Sequence, residues 1–300
     1  MKKKTYLFAL MAMALTLGSC SDNENGIGGE TSKYITVSTS IGNMTRVATD
    51  ANGGQTFEEG DEISVYAWTG APTVAPETSE RVVNNAINKL TNGSWVSTPQ
   101  MLWKNNRDKH YFIGVYPTAV ISDLSAGEYT FDETKQVESD LLVAVNKDGL
   151  SYNVDEQQPV PLTFTHVMSK LAVNLTYKNQ WGGIPTVEKV VVGNAAKEAT
   201  INYLTKVVTP STTAKEDFSL PEITENTKYV SVIIPQEEVT QLTIVIGGKN
   251  FVYDNGTPFK LESGKITTVN LEVGRDEIKL GDVKITNWED GSTFSGEALN

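Results

Sequence analysis

Cysteine and histidine are scarce in this sequence of 300 residues, which contains one cysteine and two histidines. A single cysteine cannot form a disulfide within the chain, so we expect stability to come from the burial of apolar side chains. The histidines, His110 and His166, belong to no HExxH motif and show no Cys/His zinc spacing. We therefore predict no metal and no cofactor, and we interpret both histidines as hydrogen-bonded residues at a sheet edge or between domains.

Basic residues are also fewer than acidic ones. The formal net charge is −12, and we find no basic patch. A chain this acidic repels nucleic acid and anionic lipid, so the sequence predicts no nucleic-acid partner.

The only long apolar run is near the N-terminus, from Tyr6 to Leu17, and it is too short to span a membrane as a helix. It follows three lysines and ends in Leu17-Gly18-Ser19-Cys20, which is typical of a lipoprotein signal peptide. We predict that residues 1–19 are removed by a cut between Ser19 and Cys20. Acyl chains, palmitate among them, would then anchor Cys20 to a membrane. The alternative is an ordinary signal peptide with an incidental cysteine.

Residues 20–32 are polar and rich in glycine, without any apolar period. Such a composition predicts a flexible tether that lifts the folded part off the bilayer.

Apolar residues beyond the tether alternate with polar ones over short stretches that are separated by Gly- and Asn-rich turns. Period-two alternation puts one face of a strand in a core and the other toward solvent, as in antiparallel sheets. We therefore predict an all-β fold built from sandwiches. The alternating sets are Ile35, Val37, Thr39 and Ile41; Ile63, Val65 and Ala67; Leu171, Val173 and Leu175; Leu242, Ile244 and Ile246; and Val269, Leu271 and Val273.

Two features of this pattern are less regular. Residues 79–90 fit helical spacing, yet Asn92-Gly93 directly after them indicates a hairpin, so helix and strand both stay open. Residues 148–161 contain Gly149, a run of acids and amides, and two prolines, which interrupt the strand pattern. We place a domain boundary there and predict one sandwich at 33–155 and another at 156–300.

Motifs of known catalytic chemistry are missing from the sequence, and we predict that the protein is not an enzyme. No GxSxG nucleophile elbow is present. The acidic cluster Glu58-Glu59-Gly60-Asp61-Glu62 offers carboxylates for glycosidase chemistry, but acids around a glycine more often form a solvated turn. Five tryptophans would be able to stack on sugar rings if they were exposed, although large aromatic residues are more often part of a core.

Several fragments, in order along nearly the whole chain after the tether, resemble the fimbrillin-family lipoproteins of Bacteroides-like and Porphyromonas-like anaerobes. The resemblance implies two transthyretin-like β-sandwiches in tandem. The fragments are Thr45-Arg46, Phe57 to Tyr66, Trp95 and Trp103, Phe112 to Pro117, Leu162 to Leu171, Ile234 to Gln236, Leu261 to Lys265, and Ile285 to Trp288.

The resemblance also implies a route of assembly. A trypsin-like, Arg-specific protease would cut between Arg46 and Val47 and release the strand from Ile35 to Ile41, leaving an open apolar groove. The last strand of a neighbouring subunit would fill that groove. In this chain the donor would be residues 278–300, with Leu280, Val283, Ile285 and Trp288 as apolar pegs. The alternative for Arg46 is a surface arginine in a loop.

The sequence therefore predicts a structural subunit of a surface fimbria, or pilus, on the cell outer membrane. It would polymerise with other fimbrial subunits by donor-strand exchange and contribute to cell adhesion or biofilm. Whether it is a stalk, tip or anchor subunit stays open. The alternative is a monomeric, glycan-binding lipoprotein of the outer membrane.

Overall fold

The computed structural model of the chain describes residues 33–42, 56–153 and 158–288. Four predictions from the sequence lie outside the described residues: the signal peptide 1–19 with its cut at Ser19 and Cys20, the tether 20–32, the processing site at Arg46 and Val47, and the final part of the donor segment, 289–300.

Strands make up nearly all the regular structure of the described part, where no helix is long and apolar enough to cross a membrane. Two short 3₁₀ turns occur at Thr78–Glu80 and Asn179–Trp181. The strands are β1 Val37–Ile41, β2 Glu62–Thr69, β3 Val83–Thr91, β4 Ser94–Thr98, β5 His110–Tyr116, β6 Gly127–Thr130, β7 Leu142–Leu150, β8 Val160–His166, β9 Ser169–Tyr177, β10 Val187–Ala196, β11 Glu198–Asn202, β12 Val207–Pro210, β13 Lys215–Ser219, β14 Glu222–Thr224, β15 Lys228–Ile233, β16 Gln236–Ile246, β17 Lys249–Leu261, β18 Lys265–Val273 and β19 Ile278–Asn287.

These strands form four sheets. The largest has the order β1-β8-β7-β5-β2-β3-β4, and a five-stranded sheet has the order β14-β15-β9-β18-β19. The other two are β13-β10-β16-β17 and β12-β11-β6. The predicted all-β fold is confirmed. Antiparallel pairing dominates, but β1 with β8 and β9 with β18 are parallel, which alternation cannot reveal because its period is two in both kinds of sheet.

The centre of the seven-stranded sheet is buried on both faces, so the prediction of a solvent face is wrong for β2. Ile63 and Val65 belong to one core cluster, and Tyr66 on the opposite face belongs to another. The polar groups of that second face find partners in the segment that covers it. The hydroxyl of Tyr66 donates to the Ala119 carbonyl at 2.5 Å, and the Ala119 N–H donates to Ser64 Oγ at 3.0 Å.

Residues 79–90 contain a strand and no α-helix. The register of β3 against β2 shifts between Val83 and Ala86, and Asn85 has a left-handed φ of 56°. Because of this bulge, Val83 and Ala86 are both buried on one face of the sheet although they are three positions apart in the sequence. A spacing of three is also the spacing of a helix face, and this explains why the sequence pattern was ambiguous.

The sheets do not change at the predicted boundary between 155 and 156. Strand β8 follows that boundary but pairs with β7 and β1 in the seven-stranded sheet. Strand β6 precedes the boundary but pairs with β11. The order of strands in the sheets therefore does not mark where one predicted domain ends and the next begins, and the division into two domains stays a prediction. The polar, Pro-containing stretch returns the chain to the same sheet instead of leading into a new one.

The later part of the chain forms a sandwich between the four-stranded and five-stranded sheets. Val190 and Ile244 of the first, and Leu171 and Val269 of the second, are fully buried in one cluster. Side chains from two inner faces thus share a single core, which is the packing expected of a β-sandwich.

Candidate assembly strands

Strand β1 lies at the edge of the seven-stranded sheet and is bonded to a strand on one side only. It runs parallel to β8 from the Val37–Val160 pair to the Ile41–Phe164 pair. The Gly42 N–H extends this contact by donating to the Phe164 carbonyl at 2.7 Å. The order of the sheet gives β1 no second neighbour among the described strands, so β1 is an edge strand of that part of the structure.

The residues just before β1 are tied to the segment that follows β4. The Ile35 N–H donates to the Met101 carbonyl at 2.9 Å, and the Trp103 N–H donates to the Lys33 carbonyl at 3.1 Å. The start of the segment therefore has main-chain partners that β8 does not supply.

The apolar side chains of this first segment are buried at its start and half-buried at its end. Ile35 and Val37 are 1% and 6% exposed, whereas Thr39 and Ile41 are half-buried. The predicted alternation is confirmed, since Thr36, Ser38 and Ser40 are exposed. Burying an Ile or Val side chain contributes about 1.5–3 kcal/mol of stabilisation. Most of the free energy with which apolar burial holds this segment in place therefore comes from Ile35 and Val37.

A cleft of about 1010 Å³ runs along β1. One wall is β1 itself, and the other includes Leu90 and Trp95 from the β3–β4 hairpin, whose strand β4 is the opposite edge of the same sheet. Trp95 Nε1 donates across the cleft to Thr39 Oγ1 at 2.9 Å. Phe57 packs edge-on against Trp95 with ring centroids 5.3 Å apart. The two edges of the sheet therefore face each other across a largely apolar space.

Strand β19 is the corresponding edge of the five-stranded sheet. It pairs only with β18 among the described strands. Leu280, Val283 and Ile285 stand beside buried residues of β18, which places all three on the inner face. Leu280 is half-buried, and Val283 and Ile285 are each 37% exposed. The structure thus brings three of the four predicted pegs onto one incompletely covered face.

A bulge keeps these three side chains on one face although their spacing is uneven. The register of β19 shifts between its pairs Leu271–Leu280 and Val269–Val283. On the outer face, Asn270 Nδ2 donates to Asp282 Oδ1 at 2.6 Å. The side chains of Asn174 and Asn270 are also hydrogen-bonded, at 2.8 Å, so a short polar ladder crosses the sheet at the bulge.

Trp288, the fourth predicted peg, lies just after β19 and is 4% exposed. Its indole stacks on the His166 ring with centroids 4.0 Å apart and planes 4° apart. The Lys170 ammonium lies 4.1 Å from the centroid of the indole. His166 Nδ1 in turn contacts Asp140 Oδ1 at 2.8 Å. In this structure Trp288 is therefore a buried residue of its own subunit.

Sequence reasoning missed the surroundings of Trp288. Asp140, His166 and Lys170 stand far from it along the chain, and no local spacing connects them. The sequence placed His166 at a sheet edge or seam, and it does end β8. The only available signal was a histidine at a core-facing position of β8, in which apolar and polar residues alternate.

The other candidates for chemistry have structural roles. In the cluster from Glu58 to Glu62, the first three residues are exposed, and the Glu58 N–H donates to Asp61 Oδ2 at 2.7 Å, which is a solvated turn as predicted. His110 is fully buried, and burial lowers its pKa. No group of three or more potential metal ligands occurs among the described residues.

The five tryptophans offer no exposed platform for a sugar. Trp68 and Trp288 are buried, and Trp95, Trp103 and Trp181 are half-buried. Each half-buried ring packs edge-on against another aromatic ring. The observation that motivated the glycan-binding alternative therefore has no counterpart on the surface.

Known structures share this fold at low sequence identity. A protein assigned to cell adhesion from Bacteroides ovatus aligns with a TM-score of 0.64 and 17% identity, covering 86% of this chain and 98% of that one. A similarly assigned protein from Bacteroides uniformis gives 0.61 and 18%, covering 78% and 94%. A fimbrial protein from Bacteroides vulgatus gives 0.52 and 12%, covering 86% and 100%.

The sequence comparison agrees with these structures. No curated protein matches the chain at a significant level. A family model described as fimbrillin-like matches residues 45–288, which is most of the chain. That range starts beside Arg46 and ends at Trp288, so it includes both sheets of the later sandwich and β19 but leaves out β1. The chain belongs to the fimbrillin-like family.

Proposed function

We propose that this protein is a structural subunit of a surface fimbria that joins its neighbours by exchanging β-strands, and that it contributes to adhesion and biofilm. Membership of the fimbrillin-like family supports a fimbrial role related to adhesion. The observation that supports strand exchange is the position of β1, an edge strand beside an apolar cleft.

Loss of β1 would create an acceptor site. Strand β8 would lose its only partner on that side among the described strands and would present a row of unpaired N–H and C=O groups. The places of Ile35 and Val37 in the core would become empty apolar pockets in the cluster that also contains Val160, the residue opposite Val37. An incoming strand with alternating apolar side chains restores both kinds of interaction, which is the general basis of β-strand addition.

Processing at Arg46 would free β1 from the rest of the subunit. Arg46 and Val47 come after β1 in the sequence and before Thr56, from which the described structure continues. A cut between them would therefore separate the segment that contains β1 from all the later strands. An Arg-specific, trypsin-like protease is the proposed partner. The same cut would release the body from the lipid proposed on Cys20, which holds the precursor at the outer membrane.

Strand β19 is the proposed donor. It is an edge strand near the end of the chain, and Leu280, Val283 and Ile285 are side chains of the kind that the emptied pockets accept. Trp288 would have to leave its present contacts before it can serve as the fourth peg.

The test is a treatment of purified, lipid-free protein with an Arg-specific protease. We expect a new N-terminus at Val47, loss of the segment that carries β1, and a ladder of multimers on a sizing column. Arg46→Ala should abolish both the cut and the ladder. Arg107→Ala is the matched control, since Arg107 is exposed in the connection between β4 and β5, and it should behave like the wild type.

A cut chain that stays monomeric would rule out strand exchange. Multimers from a chain that lacks residues 278–300 would instead rule out β19 as the donor. If monomers bind glycans, the glycan-binding lipoprotein becomes the better description.

A further inference from the structure

We infer that Trp288 is a latch that keeps β19 docked on its own subunit and so limits how often this strand is free to join a neighbour. The inference rests on the proposed role of β19 as a donor. It is carried by the contrast between a weakly held strand and the tightly packed residue that follows it.

Most of β19 is poorly buried. From Gly281 to Ile285 every residue is exposed, and the apolar side chains of Val283 and Ile285 keep more than a third of their surface in solvent. Strand β18 is its only described strand partner. Edge strands with few buried side chains open locally at a low free energy, well below that of global unfolding.

Trp288 is held very differently. Its parallel stack on His166, with centroids 4.0 Å apart, buries one of the largest side chains of the protein. Lys170 lies 4.1 Å from the indole centroid and is itself only 2% exposed, so its attraction to the ring acts in a poorly solvated setting. The Trp288 N–H also donates to the Gly264 carbonyl at 3.2 Å.

The surface that receives the indole is itself fixed in place. His166 contacts Asp140 through Nδ1 at 2.8 Å, which sets the orientation of the imidazole ring. Its other nitrogen, Nε2, is buried and has no hydrogen-bond partner among the described residues. A ring held in this way presents a fixed flat surface on which the indole stacks.

The latch also connects the two ends of the proposed assembly mechanism. His166 is the last residue of β8, and β8 is the strand that pairs with β1. Strand β8, which would accept the donor strand of one neighbouring subunit, therefore ends in His166. His166 in turn holds Trp288 and so retains β19, the strand that this subunit would donate to another neighbour. Until Trp288 leaves His166, a subunit is able to accept a strand more readily than to give one.

Hydrogen exchange of the uncut, full-length protein tests the latch without any assembly. Stacking and cation–π contacts together are expected to change the docking equilibrium by about tenfold or more. In Trp288→Ala, the amides of β19 should therefore exchange at least ~10-fold faster than in the wild type, while those of the central strand β9 stay unchanged. His166→Ala should give a smaller acceleration in the same place.

Phe218→Ala is the matched control. It also removes a buried aromatic ring, which packs edge-on against Phe131. Phe218 belongs to β13, in the four-stranded sheet, which does not contain β19. We expect this variant to lower global stability without a selective effect on β19. Unchanged exchange at β19 in Trp288→Ala, or acceleration shared equally with β9, would overturn the latch. If Trp288→Ala does not fold, His166→Ala decides by the same criterion.

The effect on assembly is measured separately, after Arg-specific cleavage. Trp288→Ala should form multimers faster than the wild type, in proportion to its faster exchange. Faster exchange with an unchanged rate of multimer formation would show that release of β19 does not limit donation. If no variant forms multimers, the proposed function fails, while the exchange data still decide whether Trp288 retains β19.

Discussion

At the residue scale, Phe57 shows how one side chain shapes the cleft beside β1. Its ring packs edge-on against Trp95, Tyr116 and Phe164, with centroids 5.1–5.4 Å apart. Each such pair contributes about 0.5–1.5 kcal/mol beyond its buried area. Because none of these residues belongs to β1, the aromatic wall would persist after β1 is removed and remain available to an incoming strand.

His110 makes a prediction about acid stability. Nε2 of this buried ring accepts a bond from the Lys104 N–H at 3.1 Å, and Nδ1 lies 3.1 Å from the Asp108 carbonyl, so the ring is neutral with its proton on Nδ1. Burial lowers its pKa below the usual value of 6.5. The unfolded chain therefore binds the proton more readily, and the free energy of unfolding should fall as the pH drops below 6.5.

His110→Gln should reduce this pH dependence, because glutamine cannot become charged but can still accept a hydrogen bond. Urea unfolding of both proteins at several pH values between about 7 and 5 measures the effect. The comparison concerns the slopes, since the substitution also changes the baseline stability. Equal slopes would show that His110 does not sense acid in the folded state.

At the scale of elements, alternation in the sequence located β1, β2, β9, β16 and β18 and missed the irregularities of other strands. The first segment alternates as expected, and its buried residues were correctly assigned. The bulges at Asn85 and at Gly281 were not foreseen, because a period of two gives no indication of an inserted residue. The second of these matters for the site, since without it Leu280 and Val283 would face opposite sides of the sheet.

The polar ladder at the second bulge gives a prediction for Asn270. In Asn270→Ala, the bonds to Asp282 and Asn174 are lost, and we expect about 0.5–1.5 kcal/mol less stability for β19. Local hydrogen exchange at Gly281 and Asp282 should accelerate accordingly. Thr268→Ala, two positions away on the same face of β18, is the control and should have little effect. The same result for both variants would mean that the ladder does not support the bulge.

At the scale of the whole molecule, long-range pairing was the least predictable property. The all-β class follows from composition and alternation, but the parallel pairing of β1 with β8 joins segments more than a hundred residues apart. The position of Trp288 depends equally on residues from three distant segments. Local patterns report which face of a strand is buried, and they carry no information about which strand lies beside it.

The lipid anchor is a prediction about the whole precursor, because Cys20 lies outside the described residues. Cys20→Ala should abolish acylation and release the uncut protein from the membrane fraction. Detergent phase partitioning and fractionation of cells measure both effects, with Ser21→Ala as the control that keeps the cysteine. Membrane retention that is unchanged in Cys20→Ala would remove the lipoprotein assignment.

The short sheet of β6, β11 and β12 has a mechanical consequence. Because β6 comes from the first half of the chain and β11 from the second, main-chain hydrogen bonds tie the halves together. A hinge between them would have to break those bonds, so we expect the halves to move as one body and to melt in a single transition. In a fibre of such subunits, bending under flow would therefore be concentrated where one subunit meets the next.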